Sequence, residues 1–410
     1  MTGPSNELED KQMSSKHYSL LITATVWAGW TSIMLPRMVV TALLPTIEPA
    51  FHITHAQGGL LMTSYLYPYA LMQIPIGALS DRFGRKRFIV AALSGSSLAS
   101  LALLAVQSFE QMVVLRAVAG FFAGLWYAPA ISLLTVSVSD NDRGKAMGVA
   151  LSGPSVSDAL IFLMVGTLGV ESLGWRSYFL IYAIPGFICA LGTWFIVRHV
   201  PSRPEAPQRT REDRGNAWRI LLGRDVLGIL AFNMVISLAT YSLRTFLPVY
   251  FVQARGLSSS EASLLMMAYA TAVILASPLA GYLVDRFGSG RPSSVSLLLI
   301  GLVTLALPIV PMGLPAAVTL FVWGLTGGWI TTALSVLITQ IVPGRVRGTF
   351  LGVLNACVFF GAATGPVILG YVADIGGFSA FFALALGLCA LSSFIILPVL
   401  KAYWRPKSVA

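Results

Sequence analysis

Long apolar runs separated by short polar segments make up most of this 410-residue chain. Each run extends over about 20 residues or more, which is the length that an α-helix needs to cross a bilayer. The runs do not alternate as a half-buried strand does, and lipid offers no hydrogen bonds to an open backbone, so helices are predicted. The twelve predicted spans are residues 19–44, 57–79, 87–107, 112–137, 143–168, 175–197, 224–252, 261–284, 293–312, 315–341, 347–373 and 377–400.

The longest polar segment lies between the sixth and seventh spans and is rich in proline and arginine. A segment of this composition is typical of a solvated linker. The predicted order is therefore a polar N-terminal tail, a bundle of six helices, the linker, a second bundle of six helices and a C-terminal tail. These five parts are residues 1–18, 19–197, 198–223, 224–400 and 401–410.

Composition and charge agree with a membrane protein. Hydrophobic residues make up 56% of the chain and charged residues 11%, whereas a soluble domain carries about 25% charged residues. The segments on the side of the N-terminus hold 22 of the 27 Lys and Arg residues, and such segments face the cytoplasm. We therefore expect a multi-pass protein of the inner (plasma) membrane with both termini cytoplasmic. The net charge of +10 then reflects contact with the lipid bilayer, and no nucleic-acid partner is expected.

Residues that often carry metal or redox chemistry are sparse. The three cysteines lie in apolar runs at irregular spacing, and the four histidines lie near span ends. Neither set has a metal-ligand spacing or a nucleophile beside a base. The sequence therefore predicts no metal site, no cofactor and no enzyme activity, and a monomer is expected.

Two similar segments recur at a fixed distance along the chain. Residues 77–87 read "GALSDRFGRKR" and residues 281–291 read "GYLVDRFGSGR". Three pairs share the same offset: Asp81 with Asp285 (285 − 81 = 204), Tyr65 with Tyr269, and Arg143 with Arg347. An offset close to half the chain length indicates a tandem duplication with both halves in the same orientation.

The segment 77–87 resembles the signature loop of the major facilitator superfamily. The run "LRAVAGFFAG" around Arg116 and Gly120 resembles a second pattern of that family. The resemblance implies an all-α membrane protein with twelve transmembrane helices in two six-helix bundles related by a pseudo-twofold axis. It also implies secondary transport by alternating access, with a central site between the bundles.

In that family the signature loop locks the bundles together on the cytoplasmic side. The gating candidates here are Gly77, Asp81, Arg82, Gly84, Arg85, Asp285 and Arg286. We expect Gly77 to allow close helix packing at the turn. The alternative is a basic loop that serves only to set orientation.

Ionisable residues within spans are costly, and each is a candidate for function. Arg37 lies eight residues before Pro45 (45 − 37 = 8), and this placement resembles the arginine that binds the substrate's anionic group in anion:cation symporters and organophosphate antiporters. Arg244 lies in span 7, the repeat partner of span 1. An arginine fork suits carboxylate, phosphate or sulfonate. The pair is predicted to bind an anion, the alternative being that both side chains extend to the membrane surface.

Pro36 stands where many such symporters have an acidic residue, and it is expected to break the helix beside Arg37. Asp158 lies in the middle of span 5 and is predicted to carry the coupling proton by exchanging arginine partners. The alternative for Asp158 is a fixed structural ion pair. Arg116 matches a family arginine that serves either structure or proton coupling.

Several polar residues are predicted to line the central cavity, and plain helix packing is the alternative for each. They are Tyr65, Tyr269, Tyr241, Tyr127 and Asn355.

Away from the ends of the spans lie three arginines, Arg37, Arg116 and Arg244, and one aspartate, Asp158, which leaves an excess of positive charge for an anion to neutralise. The leading hypothesis is therefore a proton-coupled symporter of a small organic anion, a carboxylate above all. A proton-coupled drug or metabolite efflux antiporter is the alternative. The glycine–proline pairs at 153–154 and 365–366 resemble a motif of drug antiporters, but Ser157 and Asp158 stand where that motif continues to a glycine pair, which argues against that branch. An alternative of another class is a transporter-like membrane sensor.

Overall fold

The computed structural model describes the backbone of residues 4–197, 222–288, 290–342 and 344–402. Side chains are described for the same ranges, with some exceptions. The exceptions are residues 4–16, 277, 278, 281, 285, 331–333, 335, 336, 339, 340, 344–349 and 402. Most of the predicted linker and the ends of both tails therefore lie outside the described residues, as does the side chain of Asp285.

The first half of the chain is built from helices joined by short turns. They are α1 (Pro4–Phe51), α2 (His55–Phe83), α3 (Arg85–Ala102), α4 (Phe109–Gly124), α5 (Tyr127–Ser137), α6 (Arg143–Leu168), α7 (Val170–Leu173) and α8 (Trp175–Ile196). A short 3-10 turn, Leu103–Ala105, follows α3. The helices α4 and α5 together correspond to the fourth predicted span, which breaks at residues 125–126.

The second half repeats this plan. Its helices are α9 (Arg224–Gln253), α10 (Ser259–Phe287), α11 (Gly290–Ala306), α12 (Leu314–Ile341) and α13 (Gly344–Ala402). The last of these holds two predicted spans, which meet at Gly377 with φ of 66°. Only glycine adopts this backbone conformation readily, and it turns the chain between the two spans.

Length and composition confirm a membrane-spanning chain. Among the described residues, eight segments are long and apolar enough to cross a membrane. One of them, Phe350–Lys401, covers two predicted spans, and Gly290–Ala306 and Leu314–Ile330 are shorter apolar helices. With α2, these segments account for the twelve predicted spans.

The first helix differs from its prediction. α1 continues without a break through Pro36, Pro45 and Pro49 as far as Phe51, so the expected break at Pro36 is wrong. Proline is tolerated within membrane helices because neighbouring helices satisfy the freed backbone groups.

Matching contacts recur in the two halves at the predicted offset. Thr54 caps α2 in a capping box with Gln57, and Ser258 does the same for α10 with Glu261 (258 − 54 = 204). The backbone of Tyr65 approaches Gly120 closely, and the backbone of Tyr269 approaches Gly324 in the same way (324 − 120 = 204). The duplication seen in the sequence therefore extends to helix ends and helix crossings.

The two faces of the molecule are named here by their turns. The linker face carries the turns at residues 83–85 and 137–143 together with the ends at Val197 and Leu222, and the far face carries the turns at residues 51–55 and 253–259. A hydrophobic core on the far side joins both halves; it includes Leu43, Ile47, Leu61, Phe246, Phe251 and Leu369. Toward the linker face the core separates into one cluster centred on the first half and another built from the second.

Among the described residues, three pairs of helices make most of the contacts between the two halves. α2 packs against α13, α6 against α10, and α1 against α9. Thr63 donates a hydrogen bond to the carbonyl of Ala363, and the hydroxyls of Tyr67 and Thr364 are 2.7 Å apart. The halves are thus joined at the far face and separate toward the linker face.

Candidate functional site

Arg37 lies in the middle of α1, where this helix faces α9 of the other half. Its Nη2 donates a hydrogen bond of 2.9 Å to the hydroxyl of Tyr241, and its guanidinium carbon is 5.5 Å from the centroid of the same ring. Arg37 is only 8% exposed, and its Nε has no hydrogen-bond partner. It therefore points into the interior between the halves rather than to a membrane surface.

Arg244 lies one turn beyond Tyr241 on α9 and pairs with Asp158 of α6 in the first half. Both side chains are 13% exposed, and the Nε of Arg244 has no partner. The guanidinium carbon of Arg244 is also 5.6 Å from the ring centroid of Tyr269. Burying either charge alone is costly, so each makes the burial of the other tolerable.

These three charged side chains form one electrostatic unit. Arg37 lies close enough to Arg244 and Asp158 to interact with both. Two arginines and one aspartate leave this central cluster with one excess positive charge. Away from bulk water, the electrostatic attraction between this excess charge and an anion is stronger than in water, so the cluster is suited to bind an anion.

Arg116 has a different setting, inside the first half. It is fully buried and donates to the carbonyls of Leu61 at 3.0 Å, of Pro36, and of Arg37 at 3.4 Å. Its guanidinium carbon is 4.7 Å from the centroid of the Tyr65 ring. Arg116 therefore ties α4 to α1 and α2, and it supports the helix that carries Arg37.

Aromatic side chains surround the central cluster. The hydroxyl of Tyr65 donates to the carbonyl of Ile33 at 3.3 Å, and its ring stacks on Tyr69 at 6.2 Å. Tyr69 also contacts Phe359 of the second half edge-on at 5.1 Å. Sequence reasoning missed Tyr69, although its spacing of four from Tyr65 places both on one helix face.

Two predicted cavity residues lie away from this cluster. Tyr127 packs edge-on against Trp30 at 5.2 Å, within an aromatic group on the linker side of α1 that also contains Trp126. Asn355 is exposed on α13. Neither has a described contact with Arg37, Arg244 or Asp158.

In the predicted gating loop, the ion pair of Asp81 is formed within the loop itself. Asp81 accepts hydrogen bonds from Arg85 of the same loop, at 3.1 and 2.9 Å. Gly84, with φ of 97°, separates α2 from α3. Among the described residues, no atom lies within 4 Å of the place that a side chain at Gly77 would occupy, so the close packing expected where spans 2 and 3 turn is not seen in this structure. The bundle-locking role of the loop stays a prediction.

Arg82 and Arg286 are exposed. Arg82 lies over the ring of Phe83, with its guanidinium carbon 5.2 Å from the centroid. In the second copy of the loop, Arg286 donates a 2.9 Å hydrogen bond to the hydroxyl of Tyr282. Across the part of the chain that the structure describes, no group of three His, Cys, Asp or Glu residues is placed to hold a metal ion.

A family model described as "Major Facilitator Superfamily" matches residues 26–313 and 229–409. The multidrug resistance protein MdtG of Yersinia enterocolitica is 25% identical over 352 residues, which cover 84% of this chain and 82% of the relative. The cis,cis-muconate transport protein of Acinetobacter baylyi is 26% identical over 355 residues, covering 83% of this chain and 84% of the relative.

Solved structures share the fold. A bacterial homologue of the human lysosomal transporter Spinster, crystallised in an inward-facing and unoccupied conformation, superposes with a TM-score of 0.80 at 20% identity. The match covers 95% of this chain and 99% of that one. The D-xylose–proton symporter superposes with a TM-score of 0.74 at 15% identity, covering 96% and 99%.

Proposed function

This chain belongs to the major facilitator superfamily and is a multi-pass membrane transporter rather than an enzyme, and from that premise we propose that it carries a small organic anion, a carboxylate above all, together with protons. The observation that carries the proposal is the central cluster of Arg37, Arg244 and Asp158. Its arginines come from α1 and α9, one helix of each half, so an anion held by both is released when the halves part.

Proton coupling is proposed to run through the ion pair of Asp158 and Arg244. When Asp158 is charged it occupies Arg244, and the cluster has one excess positive charge. When Asp158 takes up a proton, Arg244 is freed and the excess rises to two, so a carboxylate binds more tightly. Proton and anion then favour each other's binding, as reciprocal coupling between two sites requires.

Two observations support an anion as the cargo. A relative named for the transport of muconate, an organic anion, matches most of this chain, and the central cluster has a net positive charge.

Arg116 is a less suitable candidate for proton coupling. Its contacts support a structural role, since three backbone carbonyls already accept hydrogen bonds from its guanidinium. That leaves Asp158 as the candidate for proton binding in the centre.

The second candidate function is proton-coupled drug or metabolite efflux. It is favoured by the similarity to a multidrug resistance protein and by the aromatic side chains of Tyr69 and Phe359 near the centre. Planar, weakly polar compounds stack well on such rings. A single excess positive charge beside them argues against cationic drugs as the cargo.

Orientation in the membrane is also part of the proposal. The linker face carries most of the Lys and Arg residues, so it is assigned to the cytoplasm of an inner-membrane protein. The far face, where the halves are joined, is then the outer side. Accessibility of single cysteines to a membrane-impermeant reagent tests this, with Ser172→Cys for the far face and Arg87→Cys for the linker face.

The binding test is a thermal-shift screen of the purified protein against small carboxylates, phosphates, sulfonates and cationic drugs. A ligand present at about 100 times its Kd stabilises a protein by about 2.7 kcal/mol. We expect a carboxylate to stabilise the wild type and the control Arg87→Ala, whose side chain is exposed on the linker face. We expect no stabilisation of Arg37→Ala.

Arg244→Ala leaves Asp158 without its partner, so it is tested as the double variant Arg244→Ala/Asp158→Asn. This variant should fold and should not be stabilised by the carboxylate. Stabilisation of the wild type by cationic drugs alone would overturn the anion site and favour efflux.

The coupling test measures uptake of the stabilising anion into proteoliposomes across an imposed pH gradient. Asp158→Asn should still exchange the anion between the two sides but should lose accumulation driven by the gradient. The control is Asp142→Asn, an exposed carboxylate at the start of α6. Full gradient-driven accumulation by Asp158→Asn would exclude Asp158 as the coupling residue.

A further inference from the structure

A second group of titratable side chains lies at the far face, away from the central cluster. Glu48, near the end of α1, is only 3% exposed. Its two carboxylate oxygens lie 3.1 and 3.0 Å from Nδ1 of His55 at the start of α2. The side-chain amide of Gln253, on α9 of the other half, donates to Glu48 at 3.1 Å.

The pair of Glu48 and His55 lies between the two halves. The ring of His55 packs against Phe246 at 5.9 Å and against Phe378 at 5.4 Å, and both of these rings belong to the second half. On the first-half side, a side chain at Gly58 would run into the carboxylate of Glu48. The pair is therefore enclosed only while the halves are joined at the far face.

Asp374 of α13 is the other charged group that faces His55. Its carboxylate accepts the backbone N–H of His55 at 2.8 Å and that of Ala56 at 2.9 Å. It thus caps the start of α2 from the other half, where a negative charge is favoured by the helix dipole. Among the described groups that pack on His55, α1 contributes the charge of Glu48, α13 that of Asp374, and α9 only neutral side chains.

The number of protons on the pair depends on whether the far face is closed. In water near neutral pH a histidine is mostly neutral, so His55 holds no extra proton while the far face is open. In the closed state a buried carboxylate requires a compensating charge. One proton on the pair supplies it, as a histidine cation beside a carboxylate or as two neutral groups. Asp374 adds a further negative charge that reaches His55 only on closure.

We propose that Glu48 and His55 form a second proton-binding site, separate from Asp158, which takes up one proton when the far face closes and releases it when that face opens. The site binds no cargo. Acid on the far side then favours closure, whatever the transported compound is.

The direction of the pH effect follows from the closed state. The hydrogen bond from its ring to Glu48 raises the pKa of His55 above its ordinary value of 6.5, against the opposing effect of burial. A group whose pKa is raised in the closed state contributes its full stabilisation of that state when the pH is below the group's ordinary pKa. The stabilisation is lost as pH rises through the raised pKa. Closure should therefore weaken as the medium becomes alkaline.

The test follows the width of the far face in substrate-free protein. Spin labels are placed at Ser172→Cys and Ala254→Cys, both exposed on that face and in different halves. The three native cysteines are replaced by alanine. Double electron–electron resonance then gives the populations of short and long distances between about pH 5.5 and pH 8.5. For one proton, the ratio of closed to open molecules changes by at most tenfold per pH unit.

We expect the closed population to fall with pH in the wild type and to be independent of pH in the double variant Glu48→Gln/His55→Asn, which keeps a hydrogen bond between the two side chains but has neither the carboxylate nor the imidazole. His52→Asn is the matched control, because His52 is exposed beside the same turn, and it should behave as the wild type. Gln253→Ala should lower the closed population at every pH while keeping the slope.

A third variant distinguishes the pH effect of the far-face site from that of the central cluster. Asp158→Asn should keep the midpoint of the pH dependence. A slope that persists unchanged in the double variant Glu48→Gln/His55→Asn, or one that is lost in Asp158→Asn and kept in the double variant, would overturn the proposal. If the double variant does not fold, Glu48→Gln replaces it, with the same loss of slope expected.

Discussion

Two buried arginines of this transporter have opposite surroundings. Arg116 lies within the first half, where the carbonyls of Leu61, Pro36 and Arg37 take up its donors. Arg244 lies on the boundary between the halves and is paired with Asp158 of the other half. The same residue type is thus held by carbonyls of its own half in one place and by a carboxylate of the other half in the second place.

The difference shows which intramembrane charges can take part in a transport cycle. The partners of Arg116 are backbone carbonyls of its own half, and they stay in place when the halves move against each other. The partner of Arg244 is a carboxylate of the other half, and in the proposed cycle the two move relative to each other. Only a charge whose partner is replaceable, by a proton or by another anion, can hold cargo in one state and release it in the next.

Removing Arg116 should have the largest effect on stability. Arg116→Met removes charge-assisted hydrogen bonds to three carbonyls of α1 and α2, each of which contributes about 1.5–3 kcal/mol, so unfolding should become easier by about 5 kcal/mol. Thermal unfolding of the purified variant measures this. Arg87→Met, an exposed position, serves as the control. A variant as stable as wild type would show that Arg116 is not the tie described here.

Breaking the central ion pair should come next. Arg244→Gln leaves Asp158 buried without its partner, and losing one member of a buried pair costs about 3–5 kcal/mol. Protonation of Asp158 relieves part of this cost, so we expect about 3 kcal/mol. Adding Asp158→Asn should restore the melting temperature but not anion binding. Restored transport in the double variant would contradict an anion site at Arg244.

A smaller effect is expected when the charge of Arg37 is kept and its shape is changed. Arg37→Lys retains the positive charge but loses the planar fork that holds a carboxylate by two bonds. A loss of about 1.4 kcal/mol corresponds to a tenfold rise in Kd, with little change in stability. Isothermal titration with the carboxylate found by screening measures the Kd. An unchanged Kd would place the carboxylate elsewhere.

The smallest effect should come from the hydroxyl that orients Arg37. Tyr241→Phe removes the 2.9 Å hydrogen bond to Nη2 of Arg37, and one such bond contributes about 1 kcal/mol. Anion affinity should therefore fall about fivefold while the protein stays folded. Tyr127→Phe, outside the central cluster, should leave the affinity unchanged. Equal losses in both variants would show that Tyr241 has no special part in holding Arg37.

The fold was largely predictable from sequence. Apolar runs of membrane-spanning length predicted the helices, and the repeat at an offset of 204 predicted two halves of one design. Both signals are local or periodic, so one chain is enough to show them. The break in α4–α5 and the continuity of α1 through Pro36 were not predicted, because they depend on which neighbours take up the backbone groups.

The candidate site was predictable only in part. Because burying a charge is costly, the sequence alone singles out the four ionisable residues within spans, Arg37, Arg116, Asp158 and Arg244. It does not show that Arg244 pairs with Asp158 while Arg116 binds carbonyls, since the partners come from distant parts of the chain. For the same reason the histidines at span ends give no sign that His55 meets a buried carboxylate.

The glycines between α2 and α13 give a simple means of trapping a state. A side chain at Gly59 would run into the backbone at Pro366, and one at Gly370 would run into the backbone at His55. A single added methyl group at either position acts as a wedge against the closed far face without adding charge or altering the central cluster. Gly59→Ala and Gly370→Ala are therefore tools for holding the protein open on that side, where crystallisation or electron microscopy can record it.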